Sequence, residues 1–159
     1  MSTRLPHGGG TYVLLCEADA VGTRVRVGRL GEFSLERGWY AYVGSAFGAG
    51  GLRARVGRHL RCDKPLRWHF DYLRPYVAPR AVWYAMGPTR CESAWASALG
   101  MMPGAAAPLV GFGASDHPGA SHLFAFGDRP SLLDFNAGFG VGNGSCVEVR
   151  ELLVDESGE

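Results

Sequence analysis

The sequence predicts an α+β fold: a small antiparallel, mainly three-stranded sheet flanked by helices. Three observations lead there. Three stretches near the N-terminus combine β-branched and aromatic residues, with apolar positions that recur every second residue. Short connections join them, as in a meander. Beyond Gly51 the apolar residues change to helical spacing. At 159 residues the chain is close to one ordinary domain and long enough to bury a core without disulfides or metal.

Thr11–Cys16 (TYVLLC) reads as the first strand. Arg24–Arg29 is the second, with Val25 and Val27 on one face and Arg on the other. Gly38–Gly44 (GWYAYVG) is the third: Trp39, Ala41 and Val43 point one way, Tyr40 and Tyr42 the other. Leu52–Arg61 then reads as a helix whose stripe is Leu52, Val56 and Leu60. Pro65 can open a second helical piece, Leu66–Leu73, that stops before Pro75. Arg80–Met86 is a further strand candidate, and Thr89–Leu99 a helix ended by Gly100. Met101–Pro118 is a Gly/Ala/Pro loop, and Ser121–Phe126 a late strand. Residues 128–159 read as an acidic tail, with Cys146–Val154 as one possible added strand.

The overall charge is +1, but it is unevenly spread. Arg53, Arg55, Arg58, Arg61, Lys64, Arg67, Arg74 and Arg80 are opposed only by Asp63 and Asp71 across that stretch. Trp68, His69, Phe70 and Tyr72 are interleaved with them. Basic and aromatic residues together suit phosphates and bases; the plainer alternative is a solvated Arg-rich face. On this pattern Arg53, Arg58, Arg61, Lys64, Arg67, Trp68 and His69 are candidate nucleic-acid contacts. The uncharged run Ser93–Ser115 is interrupted by Gly and Pro and reads as no membrane span. Cys16, Cys62, Cys91 and Cys146 form no C-x-x-C pair, and no leader-like apolar segment opens the chain. Free thiols in the cytoplasm are therefore expected.

Arg55 and His59 are four apart and share a helix face at the edge of the apolar stripe. Tyr12 and Tyr42 stand near strand ends, where adjacent strands could bring both hydroxyls to one mouth. Glu92 opens a later helix, and Thr89-x-x-Glu92 fits a capping box, a purely structural role for that carboxylate. His69, Asp116, His117 and His122 are further polar candidates. Zinc on Cys62, His69, Cys91 and His122 is disfavoured, because tight Cys/His pairs are missing.

Gly10-Thr11-Tyr12 and Tyr42-Val43-Gly44 resemble the two halves of the GIY-YIG nuclease signature. Leu52-x-x-Arg55-x-x-x-His59 follows, and then Cys91-Glu92 at a helix start. With GWYAYVGSAFGAGGLRARVGRHLR, WHFDYL, GFGASD and SHLF, the chain is similar to the small stand-alone Uri-type branch from about Gly10 to Gly127. Thr11 stands where the signature has Ile. The resemblance implies residues 1–9 as an extension, 10–127 as a nuclease-like domain and 128–159 as the tail. It also implies a metal-dependent endonuclease acting on DNA, with RNA not excluded. Arg55 would clamp phosphate and Glu92 would hold one Mg²⁺ or Mn²⁺. Tyr12 would serve as base with Tyr42 as partner, and His59 would bond a tyrosine or the phosphate. The alternative is a module that binds nucleic acid without cutting it. Protein partners are not indicated, and no membrane is.

Overall fold

The computed structural model describes residues 4–114, 119–138 and 149–155. The α+β class holds, but the sheet is larger than expected and wired differently. β1 (Gly10–Ala18) lies at its centre, paired with β4 (Gly38–Ala46) on one side and β5 (Ala78–Met86) on the other. β6 (Leu123–Phe126) adds to β4 and β7 (Arg150–Leu153) to β5. Five antiparallel strands result, in the order β6-β4-β1-β5-β7.

The three-stranded meander is therefore corrected. The second expected strand does not join this sheet. It forms β2 (Thr23–Val27) and pairs with β3 (Gly31–Leu35), which sequence reading left as a connection. This separate hairpin buries Val25, Val27, Phe33 and Leu35 and leaves its Arg and Glu side chains wet. A single wet face suits a hairpin laid across the core, whereas a central strand is covered on both sides.

β1 shows that double cover. Tyr12, Leu14 and Cys16 enter one cluster with α1 (Gly51–Leu60), α2 (His69–Leu73) and the hairpin. Val13 and Leu15 enter a second cluster, with Trp83 of β5 and Trp95 and Leu99 of α3 (Glu92–Gly100). α4 (Leu132–Ala137) contributes Phe135 to that second face, fully buried against Trp83 and Trp95 at ring distances of 5.1 and 5.3 Å. The stretch after 127 thus supplies a helix and a strand to the same core, and the strand falls within the expected Cys146–Val154 span.

Two helix boundaries differ from expectation. The second helical piece begins at His69, not Leu66. Asp71 turns back to accept the amides of Arg67 and Trp68, each at 2.8 Å, which fixes those residues as a lead-in rather than a first turn. α3 begins at Glu92 rather than Thr89. Thr11, buried on β1, accepts the Cys91 amide at 3.4 Å and anchors the chain just ahead of the helix.

Candidate active site

β1 begins where β4 and β5 finish, so one end of the sheet gathers Tyr12, Gly44, Ser45 and the turn that leads into α3. A cavity of about 740 Å³ opens there. Its walls include Tyr12, Tyr42, Ser45, Arg55, Glu92 and Trp68. Tyr12 lies opposite Gly44 in the β1–β4 register. A Cβ at Gly44 would overlap the Tyr12 hydroxyl, so only glycine lets that hydroxyl lie across the neighbouring strand. Gly10 faces the same constraint against the Ala85 carbonyl. Backbone approaches backbone closely at Gly51: it sits in left-handed backbone with φ 59°, and a Cβ there would strike the His7 carbonyl.

α1 delivers two functional side chains. Arg55 is half-buried at the cavity wall. Its positive charge acts on the Tyr12 hydroxyl, and its guanidinium lies 4.8 Å over the Trp68 ring. His59 is buried at 1% exposure, with its ring 5.8 Å from Tyr12 and 5.5 Å from Tyr42. Tyr42 stacks on Phe70 at 5.0 Å. Four of the expected catalytic residues, Tyr12, Tyr42, Arg55 and His59, therefore stand together.

Glu92 completes the group, and its competing role as a helix cap is absent. As the first residue of α3 it cannot fill the third helical position that a capping box needs, and the residue at the cap position, Cys91, makes no side-chain capping bond to the helix. The carboxylate instead faces the cavity. Ser45 donates to Glu92 Oε2 at 3.1 Å. His122 Nδ1 lies 3.3 Å from Glu92 Oε1, an ion-pair separation without hydrogen-bond alignment. Its place at the positive end of α3 also favours negative charge.

Burial sets the protonation states. It pushes the Tyr12 hydroxyl well above the ordinary tyrosine value, helped by Tyr42 and Glu92 and only partly opposed by Arg55. Burial and Glu92 likewise raise Tyr42. Both tyrosines are neutral at pH 7 in the free protein, whereas a base needs a lowered value. Burial, reinforced by Lys64, pulls His59 down to about 3, so its imidazole is neutral too.

The basic stretch divides in two. Arg58 and Lys64, expected as nucleic-acid contacts, turn inward to buried Asp71 instead. Arg58 grips buried Asp71 through two guanidinium bonds at 3.1 and 3.0 Å. Lys64 lies 3.3 Å from Asp71 and donates to the Arg58 and His59 carbonyls, both at 2.8 Å, closing the C-terminal end of α1. Burial alone would raise Asp71, but Arg58, the two amides and Lys64 outweigh it and hold the carboxyl well below its usual range. Burial draws Lys64 down although Asp71 pushes it up. Three donor contacts at these distances leave the carboxylate–ammonium pair charged. Arg53 is taken by the N-terminal segment: it donates to the Leu5 carbonyl at 2.6 Å and meets His7 at 2.7 Å. Arg61 is exposed. Arg67 and Trp68 line the cavity with His69, whose Nδ1 accepts the Gly113 amide at 2.8 Å.

Sequence reading missed Arg90 and Phe47, which also line the cavity and stack on each other at 4.8 Å. Their signal was position: Phe47 lies just past Tyr42-Val43-Gly44, and Arg90 just before Cys91-Glu92. Cys16 and Cys62 are free thiols as expected, but Cys91 is bonded in a disulfide. Asp116, His117 and Cys146 lie outside the described residues.

Among the described residues no helix is long and apolar enough to cross a membrane, and no group of three His, Cys, Asp or Glu converges as a ligand set. One carboxylate beside a hydroxyl fits a hard cation that keeps most of its waters. Residues 11–139 match the family model of DUF123, a domain of unknown function, and the chain belongs to that family. No curated protein and no solved structure matches it.

Proposed function

We propose that this DUF123 member is a metal-dependent endonuclease that hydrolyses phosphodiester bonds, with DNA as substrate. The observation that carries the reading is the meeting of Tyr12, Tyr42, Arg55 and Glu92 in one polar cavity. The likeness of Gly10-Thr11-Tyr12, Tyr42-Val43-Gly44 and the later Glu92 to the GIY-YIG signature supports it independently.

Arg55 makes no salt bridge with an acid among the described residues. Its planar fork matches two phosphate oxygens and meets the charge that grows on them as water attacks. Glu92 would hold one Mg²⁺ or Mn²⁺, which supplies positive charge at the leaving oxygen. Hydrolysis forms one bond from phosphorus to the water oxygen and breaks one to the leaving sugar oxygen, and the proton lost by the water passes through solvent to that leaving oxygen. The neutral Tyr12 hydroxyl, with the Arg55 charge beside it, orients the water by hydrogen bonding. Tyr42 and neutral His59 keep that hydroxyl in place from the core side. Arg67 and Arg90 add positive potential along the walls. Arg58 and Lys64 are committed to Asp71 and serve the scaffold.

One observation favours a second reading, a module that binds nucleic acid without cutting. Both tyrosines are held neutral by burial. Incubation with labelled single-stranded, duplex and flapped DNA and an RNA strand, in Mg²⁺, Mn²⁺ or EDTA, separates the two. Metal-dependent cutting is expected. Binding without cutting in either metal would select the module.

A further inference from the structure

Two of the aromatic rings that line the cavity, those of Trp68 and Phe47, each lie under a guanidinium. Arg55 Cζ is 4.8 Å from the Trp68 ring centre, and Arg90 Cζ is 4.8 Å from that of Phe47. Four separate segments bring these residues together: Phe47 follows β4, Arg55 is on α1, Trp68 precedes α2 and Arg90 precedes α3. Trp68 is 39% exposed, unusual for an indole with a core so near. Its backbone is nonetheless fixed, because its amide is held by buried Asp71. The ring is thus presented at the surface from a rigid base. Neither Arg55 nor Arg90 has a salt bridge to an acid among the described residues, which leaves both charges for an anion.

We propose that the cavity takes a single-stranded nucleic acid, with unpaired bases stacked on Trp68 and Phe47 and the adjoining phosphates on Arg55 and Arg90. Inside a duplex each base is covered on both faces by its neighbours and has no face to offer a protein ring. An unpaired base offers its whole π-face, and stacking accepts any base identity. Phosphate charge at a guanidinium and base stacking at the ring beside it are the two contacts that single-strand binders combine. DNA and RNA strands share this chemistry. The inference deepens the nuclease reading by naming its substrate class, and it rests on that reading only for what is done to the strand.

Fluorescence anisotropy tests it with the Glu92→Gln chain in EDTA, so that nothing is cut. The probe is one labelled mixed-sequence oligonucleotide presented as single-stranded DNA, as single-stranded RNA and as duplex DNA. The tighter-binding single strand, DNA or RNA, should exceed the duplex by about tenfold or more in affinity. Trp68→Ala and Phe47→Ala should each weaken that strand about fivefold or more, as loss of one stacked base does, and leave duplex binding unchanged. Trp68→Phe, which keeps a ring, should restore most of the loss and shows that the fold is intact. Duplex binding as tight as single-strand binding would overturn the proposal. So would Ala variants that bind the strand like their parent. If wild type still cuts DNA with metal in either case, only the strand preference falls. If no nucleic acid binds at all, the nuclease reading falls with it.

Discussion

One face of the central sheet is closed by Trp83, Trp95 and Phe135, and the opposite face by Tyr12, Tyr42, His59 and Phe70. The same strands serve both. On β1, Val13 and Leu15 enter the first face while Tyr12 and Leu14 enter the second, and on β4 Ala41 and Val43 oppose Tyr40 and Tyr42. The first face is almost entirely apolar. The second mixes rings with hydroxyls and an imidazole, and near it lie buried Asp71 and its cations. The difference teaches a division of labour. Dry packing holds the sheet rigid, and the polar face spends part of its burial on groups that a core does not need.

If that division is real, substitutions on the two faces should separate stability from activity. The largest effect should come from Trp95→Ala on the apolar face. It should lower the unfolding free energy by about 3–5 kcal/mol in a urea titration. Tyr42→Phe on the other face keeps its volume and should cost less than about 1.5 kcal/mol. Equal losses from the two would erase the distinction. Next, Arg55→Ala should slow cleavage about 10²–10³-fold, the penalty for losing one donor to transition-state charge, and leave the unfolding midpoint near that of wild type. Unchanged cleavage would remove Arg55 from the chemistry.

The effect that is smallest per step of its variable sharpens the comparison by acid. His59 is held at about 3 in the folded protein, below its ordinary value of 6.5. Above pH 6.5 both folded and unfolded chains carry it neutral. As pH falls further the unfolded chain takes the proton and the folded chain does not. Stability should then drop by about 1.4 kcal/mol per pH unit between roughly 6.5 and about 3. Asp71 acts in the same direction: its carboxyl is held low, and its contribution fades as pH falls below the ordinary carboxylate range. His59→Gln should flatten the upper part of the slope and leave the Asp71 part. Urea titrations from pH 7 to pH 3 would check this, and an unchanged slope would show that His59 titrates normally.

Elements with a strong local pattern were legible in the sequence. TYVLLC, GWYAYVG and the Leu52/Val56 stripe each carry enough periodicity to identify their element, and the alternation put Tyr40 and Tyr42 on one face. Pairing was not legible, because it is decided by tertiary cover. Nothing local tells Arg24–Val27 to leave the main sheet, or Leu152 to pair with Val82 seventy residues earlier. Among the site residues, spacing put Arg55 and His59 on one helix face and the two tyrosines near strand ends, and only the resemblance to the GIY-YIG signature joined them in one site. Glu92 was ambiguous because the start of α3 depends on Thr11, a residue distant in sequence. Arg58 and Lys64 read as candidate nucleic-acid contacts because Asp71, their common acid, reaches them only through the fold. Arg90 and Phe47 belong to no periodic pattern, so only the assembled cavity shows them.

The central claim is that Glu92 acts in chemistry and does not cap its helix. Glu92→Gln keeps the size of the side chain and removes its charge. Its single-turnover cleavage rate and thermal midpoint should be measured beside wild type in Mg²⁺ and in EDTA. The account predicts metal-dependent cutting by wild type, a loss of about a hundredfold or more in the variant, and midpoints within a few degrees of each other. Equal cutting by both proteins, or a variant that melts far below wild type, would contradict it.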